Sequence, residues 1–188
     1  VLEFLNMPNI HGVRESFLKL REACGAARTR GHTSYNFFTA VGASGWHDVL
    51  RTIIGGVERL VRLIEDETTS VYIHCSDSWD RTAQLCSLAG LCLDPHYRTM
   101  LGFATLIEKE WIRMGHKFHD RLRADALGAA GPGIYEASPV FLQFIECAWQ
   151  LTRQFPREFE FGEAFLIAVV EEMMLGRFGT FLGNCDQE

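Results

Sequence analysis

The 188-residue sequence has no apolar run near the roughly 20 residues that a bilayer crossing requires; the longest, Ala164 to Val170, is closed by Glu163 and Glu171. The first residues, Val1-Leu2-Glu3-Phe4-Leu5, carry no initiator Met, no basic start and no small-residue cleavage site. They read as the interior of a longer domain and not as a signal peptide. The six cysteines, at 24, 75, 86, 92, 147 and 185, form no C-x-x-C pair and no zinc-like Cys/His spacing. That argues against a disulfide framework or a metal centre and for reduced thiols in a cytosolic setting, with no cofactor implied. Positive charge is in deficit, 18 Lys+Arg against 24 Asp+Glu for a net charge of −6, which argues against a general nucleic-acid binder. What is present is ordinary: 47% of residues are hydrophobic. This composition excludes disordered and fibrous classes and suits one globular domain with a self-sufficient core.

Hydrophobic periodicity predicts an α/β unit. Val1 to Met7 reads as a short strand, and Thr68 to His74, β-branched and aromatic, as a buried one. Helices are expected over His11 to Ala23, stopped by Gly25, and over Trp46 to Glu65, where Val49, Ile53, Val57, Leu60, Val61 and Ile64 recur at helical spacing. Further helices cover Thr82 to Leu93, ended by Pro95, about Tyr97 to Arg113, and Glu163 to Leu175. Ser138-Pro139 reads as an N-cap with Pro at the first helical position, opening a helix to about Gln154. Residues 25 to 45 read as a loop in which Tyr35, Phe37 and Phe38 should pack, and Ala124 to Gly133 as a flexible one.

A C-x-x-x-x-x-R loop can hydrolyse phosphate monoesters, the thiolate attacking phosphorus while backbone N–H groups and the arginine hold the oxygens. The bare pattern is cheap: six Cys and 15 Arg in 188 residues give about half a match by chance. Four occur, Cys24/Arg30, Cys75/Arg81, Cys92/Arg98 and Cys147/Arg153, so context must choose. Cys147 and Arg153 share one predicted helix, whose N–H groups are already bonded. Cys24 follows a helix and leads into a loop, Cys92 sits at a helix end before Pro95, and neither loop ends at a helix N-terminus. Only Cys75 ends a predicted strand while Arg81 opens a helix, so free N–H groups and the positive end of the helix dipole converge on an anion or a thiolate. Thr82 can donate its hydroxyl to the sulfur. Between them, Ser76-Asp77-Ser78-Trp79-Asp80 puts two carboxylates into a phosphate-binding loop, a repulsion tolerable if one is a protonated general acid. Asp80, beside Arg81, is the candidate; Asp77 is the alternative, or a binder of a substrate hydroxyl.

The run Ser70 to Thr82, with His74-Cys75-Ser76-Asp77-Ser78-Trp79-Asp80-Arg81-Thr82 at its centre, resembles the signature of the myotubularin family of phosphoinositide 3-phosphatases. Pro8-Asn9-Ile10-His11, Ile107-Glu108-Lys109-Glu110-Trp111, Gly115-His116-Lys117-Phe118, Ser138 to Ile145 and Phe178 to Leu182 resemble further family segments. The resemblance implies an α/β fold, the later part of a protein-tyrosine-phosphatase-like domain with a central sheet flanked by helices, its N-terminal strands missing. It also implies metal-free removal of the 3-phosphate of phosphatidylinositol 3-phosphate and 3,5-bisphosphate through a cysteine-phosphate. Carried over by motif, Cys75 is the nucleophile, Arg81 the clamp and Asp80 the acid, Ser76, Asp77, Ser78 and Trp79 line the substrate, and Asn9, Lys117 and Arg121 contact the head group. The expected setting is cytoplasmic, peripheral on endosomal-type membranes, alone or in a homo- or heterodimer with another family member.

Two positions depart from the family pattern. Lys117 stands where Arg is common, keeping charge but losing the bidentate fork, and Ser78 stands where Gly is usual, a strain if the site needs positive φ. Arg113, Lys117 and Arg121 are spaced by four, with Arg123 nearby, and would share one face of a continuing helix. His116 and His119 read as packing or surface residues, Trp46, Trp111 and Trp149 as core, Trp79 as a buttress of the loop, and Cys86 and Cys92 as a core helix face. The rival readings are a silent lipid-binding adaptor whose loop Ser78 distorts, and a protein tyrosine or dual-specificity phosphatase. The latter usually takes its acid from a separate loop.

Overall fold

In the computed structural model, residues 2–30, 36–122 and 136–185 are described. Tyr35, Arg123 and the stretch 124 to 133 lie outside them. Among the described residues eight α-helices follow in order: α1 Ile10–Arg30, α2 Phe37–Ala43, α3 Trp46–Glu65, α4 Arg81–Leu93, α5 Met100–Ile107, α6 Phe118–Leu122, α7 Val140–Gln154 and α8 Glu163–Leu175.

The expected central sheet is absent: among the described residues there is no strand. Residues 2–9 and 68–75 are neither helical nor paired in a ladder, and Asn6 at φ +52° and Thr68 at φ +47° break the extended conformation that their composition predicts. Alternation sets the backbone shape, whereas a strand also needs a neighbour. The inward side chains Leu5, Met7, Val71 and Ile73 pack on the helical core while Leu2, Phe4 and Tyr72 face outward. Thr68 to His74 is therefore half-exposed and not buried.

The helices differ from expectation where a turn residue competes with tertiary support. α1 runs through Gly25 to Arg30. The predicted 25–45 loop contains α2, whose start is capped by Asn36, its side-chain oxygen accepting from Thr39 N. Phe37 and Phe38 meet each other at 5.5 Å between ring centres, and Phe38 stays exposed. α3 and α8 have their expected bounds. The expected helix to Arg113 is α5 followed by a single π-helical turn, Glu108–Ile112. Ser138 does not cap α7; its hydroxyl donates to Ile10 O, tying the start of α7 to α1, and Pro139 takes the cap position.

The core joins α3, α4, α5 and α7. Trp46 and Trp111 are fully buried, and Trp111 meets Phe141 at 4.9 Å and Phe144 at 5.2 Å. Trp149 is only half-buried, because its indole N–H reaches outward to Glu163. Inside the core, Gln84 Nε2 donates to Val140 O and Gln143 Oε1, so α4 is fixed to α7 by polar as well as apolar contacts. That anchorage sets the position of the α4 N-terminus, where the Cys75 loop arrives.

Candidate active site

The segment 71–75 delivers Cys75 to the start of α4, half-buried, and residues 76–80 curl back to Arg81. Ser78 N donates to Cys75 Sγ at 3.2 Å. Burial alone would push the thiol up. The nearby Thr82 hydroxyl and the backbone N–H groups of Thr82, Ser78 and Asp77 outweigh it and hold the thiol below its ordinary value. Burial pushes Cys92 up, Cys86 to about 11 and Cys147 to about 12. Among these cysteines only Cys75 is aimed at nucleophilic chemistry, since the thiolate is the reactive form.

The other three Cys/Arg pairs fall away on geometry. Cys24 and Cys147 sit inside α1 and α7, with Arg30 and Arg153 on the same helices, and Cys92 ends α4 ahead of the 3₁₀ turn that holds Arg98.

Arg81 donates to the Ser76 hydroxyl at 3.0 Å and approaches Met7 O at 3.5 Å. The first contact lays its guanidinium along the loop, and the second brings the 2–9 segment beside it. Asn9 is carried on that segment. Its side-chain oxygen accepts from His11 N and Gly12 N, so it caps α1 and leaves only its amide NH₂ to meet a ligand. Ser78 has φ +70°, so the left-handed conformation expected of glycine is held here by a serine.

The two loop carboxylates lie in different surroundings. Asp77 is exposed. Asp80 is 8% exposed, and Arg121 grips it with Nε at 3.2 Å and Nη2 at 2.9 Å. On its other side His116 Nδ1 lies 3.0 Å from Oδ1. Burial raises the Asp80 carboxyl, but the hydrogen bonds and charges of His116 and Arg121 prevail and hold it at about 2. A group ionised near neutrality has no proton to give, which conflicts with Asp80 as general acid.

The basic stripe is broken. Gly115, at φ +78°, turns the chain between Arg113 and Lys117, and α6 begins only at Phe118. Arg113 is exposed and faces Glu108 at 3.7 Å. Lys117 packs its ammonium over the Trp79 ring, 4.8 Å from the centre, and so touches the loop. Arg121 is 3% exposed and also bonds Glu136, through both its carboxylate and its carbonyl. It braces the loop from beneath and presents no free face to a head group. His119 is exposed, whereas His116 is buried against the loop. Sequence reasoning missed His116 and Glu136. The available signal was the pair of carboxylates itself, since one buried beside an anion site requires cations behind it.

The Myotubularin-like phosphatase domain matches residues 1–188. The chain belongs to the myotubularin-like phosphatase family. It is 46% identical over 186 residues to the phosphatidylinositol-3,5-bisphosphate 3-phosphatase MTMR8 of Gallus gallus, which covers 99% of this chain and 28% of that protein. It is 45% identical over 186 residues to MTMR6 of Homo sapiens, again 99% of this chain and 29% of that protein, which carries the same enzyme name. Myotubularin of Xenopus tropicalis is 42% identical over 185 residues, 98% of this chain and 30% of that protein. This myotubularin domain thus spans less than a third of the length of these relatives.

Proposed function

We propose that this chain carries the phosphate-transfer site of a phosphoinositide 3-phosphatase acting on phosphatidylinositol 3-phosphate and 3,5-bisphosphate. The observation that carries the reading is the placement of Cys75 at the head of α4, its Sγ accepting from Ser78 N at 3.2 Å and its thiol held below the ordinary value by the Thr82 and loop N–H groups around it, with Arg81 laid along the loop. The thiolate attacks phosphorus, an Sγ–P bond forms and the P–O bond to inositol breaks. In this reading Asp77 gives its proton to the leaving alkoxide. Its support is its exposure within the loop, while Asp80 is held ionised from behind. Water activated by the Asp77 carboxylate then cleaves Sγ–P and restores the thiolate and the acid.

The substrates follow from the relatives' names, and a lipid substrate requires the protein to meet a membrane surface. That encounter is peripheral, on the cytoplasmic face of endosomal-type membranes; among the described residues no helix is long and apolar enough to cross one. Pairing with a second copy or another family member belongs to the same proposal, with the exposed Ile167, Met174 and Leu175 of α8 as surface it could cover. The test is phosphate release from a panel of phosphoinositides alongside a phosphotyrosine peptide. Release from 3-phosphorylated lipids alone supports the reading, and release from the peptide alone sinks it.

A further inference from the structure

We propose that His116 is a positioning residue that aims a phosphate-binding N–H of the catalytic loop; the inference rests on the reading of that loop as the phosphate site. His116 Nδ1 lies 2.9 Å from Trp79 O and 3.0 Å from Asp80 Oδ1. A carbonyl and an ionised carboxylate only accept, so Nδ1 carries the proton and donates to both. The ring is 2% exposed and wedged edge-on between Trp111 at 4.8 Å and Phe118 at 4.7 Å, so its direction is set by packing. Its Nε2 is buried with no hydrogen-bond partner among the described residues, so the bonding of the ring is concentrated at Nδ1.

The consequence runs through the peptide plane. In a trans peptide the C=O and the following N–H point in opposite directions, so drawing Trp79 O back onto His116 turns the Asp80 N–H the other way, toward the mouth of the loop. A carbonyl turned inward there would repel the phosphoryl oxygens. The same imidazole, with Arg121, keeps the Asp80 carboxylate behind the loop and off the phosphate site. His116 touches neither substrate nor sulfur in this arrangement; it acts through two residues that precede Arg81.

The experiment compares wild type, His116→Phe and His116→Asn in the full chain. Phe keeps an aromatic ring between Trp111 and Phe118 and removes the donor, while Asn restores an N–H near the place of Nδ1. Tungstate binding by calorimetry reads the oxyanion site without turnover, kcat/KM on an aryl phosphate reads the chemistry, and thermal unfolding reports the folded fraction. His116→Phe should lose about tenfold to a hundredfold in both tungstate affinity and kcat/KM per folded molecule, and His116→Asn should recover most of each. Unchanged tungstate affinity in folded His116→Phe overturns the proposal, because a purely structural histidine alters only the folded fraction. Failure of His116→Asn to recover either quantity while folded also overturns it. A wild type that binds tungstate in a His116-dependent way yet hydrolyses nothing would refute the phosphatase reading and leave the positioning role standing. A wild type that does neither refutes both.

Discussion

At the scale of the residue, the loop separates two aspartates that are chemically alike in the sequence. Asp80→Asn should abolish the charge that Arg121 and His116 enclose and so lower stability, whereas Asp77→Asn should leave the unfolding midpoint nearly unchanged. On the lipid, Asp77→Asn should slow turnover by about 10² or more, and on an aryl phosphate much less, because a good leaving group needs no proton. The opposite pattern, with Asp80→Asn selective for the lipid, would return the acid role to Asp80. Because folding holds Asp80 at about 2, below the roughly 3.9 of an unfolded chain, it contributes about 2 kcal/mol that is fully present above pH ~4. That contribution is lost as pH falls from about 4 toward 2, and acid unfolding of wild type and Asp80→Asn should converge over that range. Cys75→Ser should stop turnover while tungstate still binds, and alkylation of Cys75 should persist to lower pH than that of Cys92. The placement of Cys75 and Arg81 on either side of a loop that enters a helix was legible in the sequence, because the strand-like residues, Cys, Arg and the helix start are all local. The environment of Asp80 was not, because its two partners stand 36 and 41 positions away and only the fold brings them together.

At the scale of the element, α3 was legible to its ends because helical spacing is sustained over its whole length, and α8 because its apolar run opens at Glu163 and is stopped by Gly176 at φ +59°. The basic stripe was misread for a physical reason: fourfold spacing marks one face only while the helix continues, and Gly115 at φ +78° ends it. Lys117 and Arg121 consequently divide their duties. Arg121→Gln leaves Asp80 and Glu136 without their cation and should cost about 3 kcal/mol of stability, read by urea unfolding, with loss on every substrate alike. Lys117→Gln removes only a partly exposed ammonium over Trp79, so it should leave stability within about 1 kcal/mol. Its effect should fall on phosphatidylinositol 3,5-bisphosphate more than on an aryl phosphate that fills the loop alone. Equal losses for Lys117→Gln on both would remove Lys117 from the head-group site. The Cys75 loop itself bends at Ser78, where a left-handed φ costs a serine about 1 kcal/mol. Ser78→Gly should therefore preserve activity and match or slightly raise the unfolding midpoint; a sharp loss would mean that the hydroxyl holds the loop.

At the scale of the whole molecule, the sheet was the largest misreading, and its cause predicts behaviour in solution. The segments 2–9 and 68–75 have the alternation of strands with one face on a core, and the inward face is satisfied: Leu5, Met7, Val71 and Ile73 pack on the helices. Periodicity reports that much and is silent on who supplies the neighbouring strand. The outward face is left with Leu2 at 72%, Phe4 at 76% and Tyr72 at 86% exposure, flanking backbone that bonds no ladder. Unpaired strand-like edges with large apolar side chains are templates for pairing with another chain. Arg59 pairs with Glu3 on the first segment and with Glu67 just ahead of the second, but these half-exposed ion pairs are screened by water and hold the segments to α3 weakly. The 188-residue chain in isolation should accordingly self-associate at micromolar concentration in sedimentation velocity, with the helical far-UV signal retained. Because the outward side chains touch no core residue, the double substitution Phe4→Lys with Tyr72→Lys should suppress the association and leave the thermal midpoint within a few degrees. A monomeric wild-type chain would show that the two segments are self-sufficient as they stand. Association undiminished in the double variant would move the adhesive surface to the exposed Ile167, Met174 and Leu175 of α8.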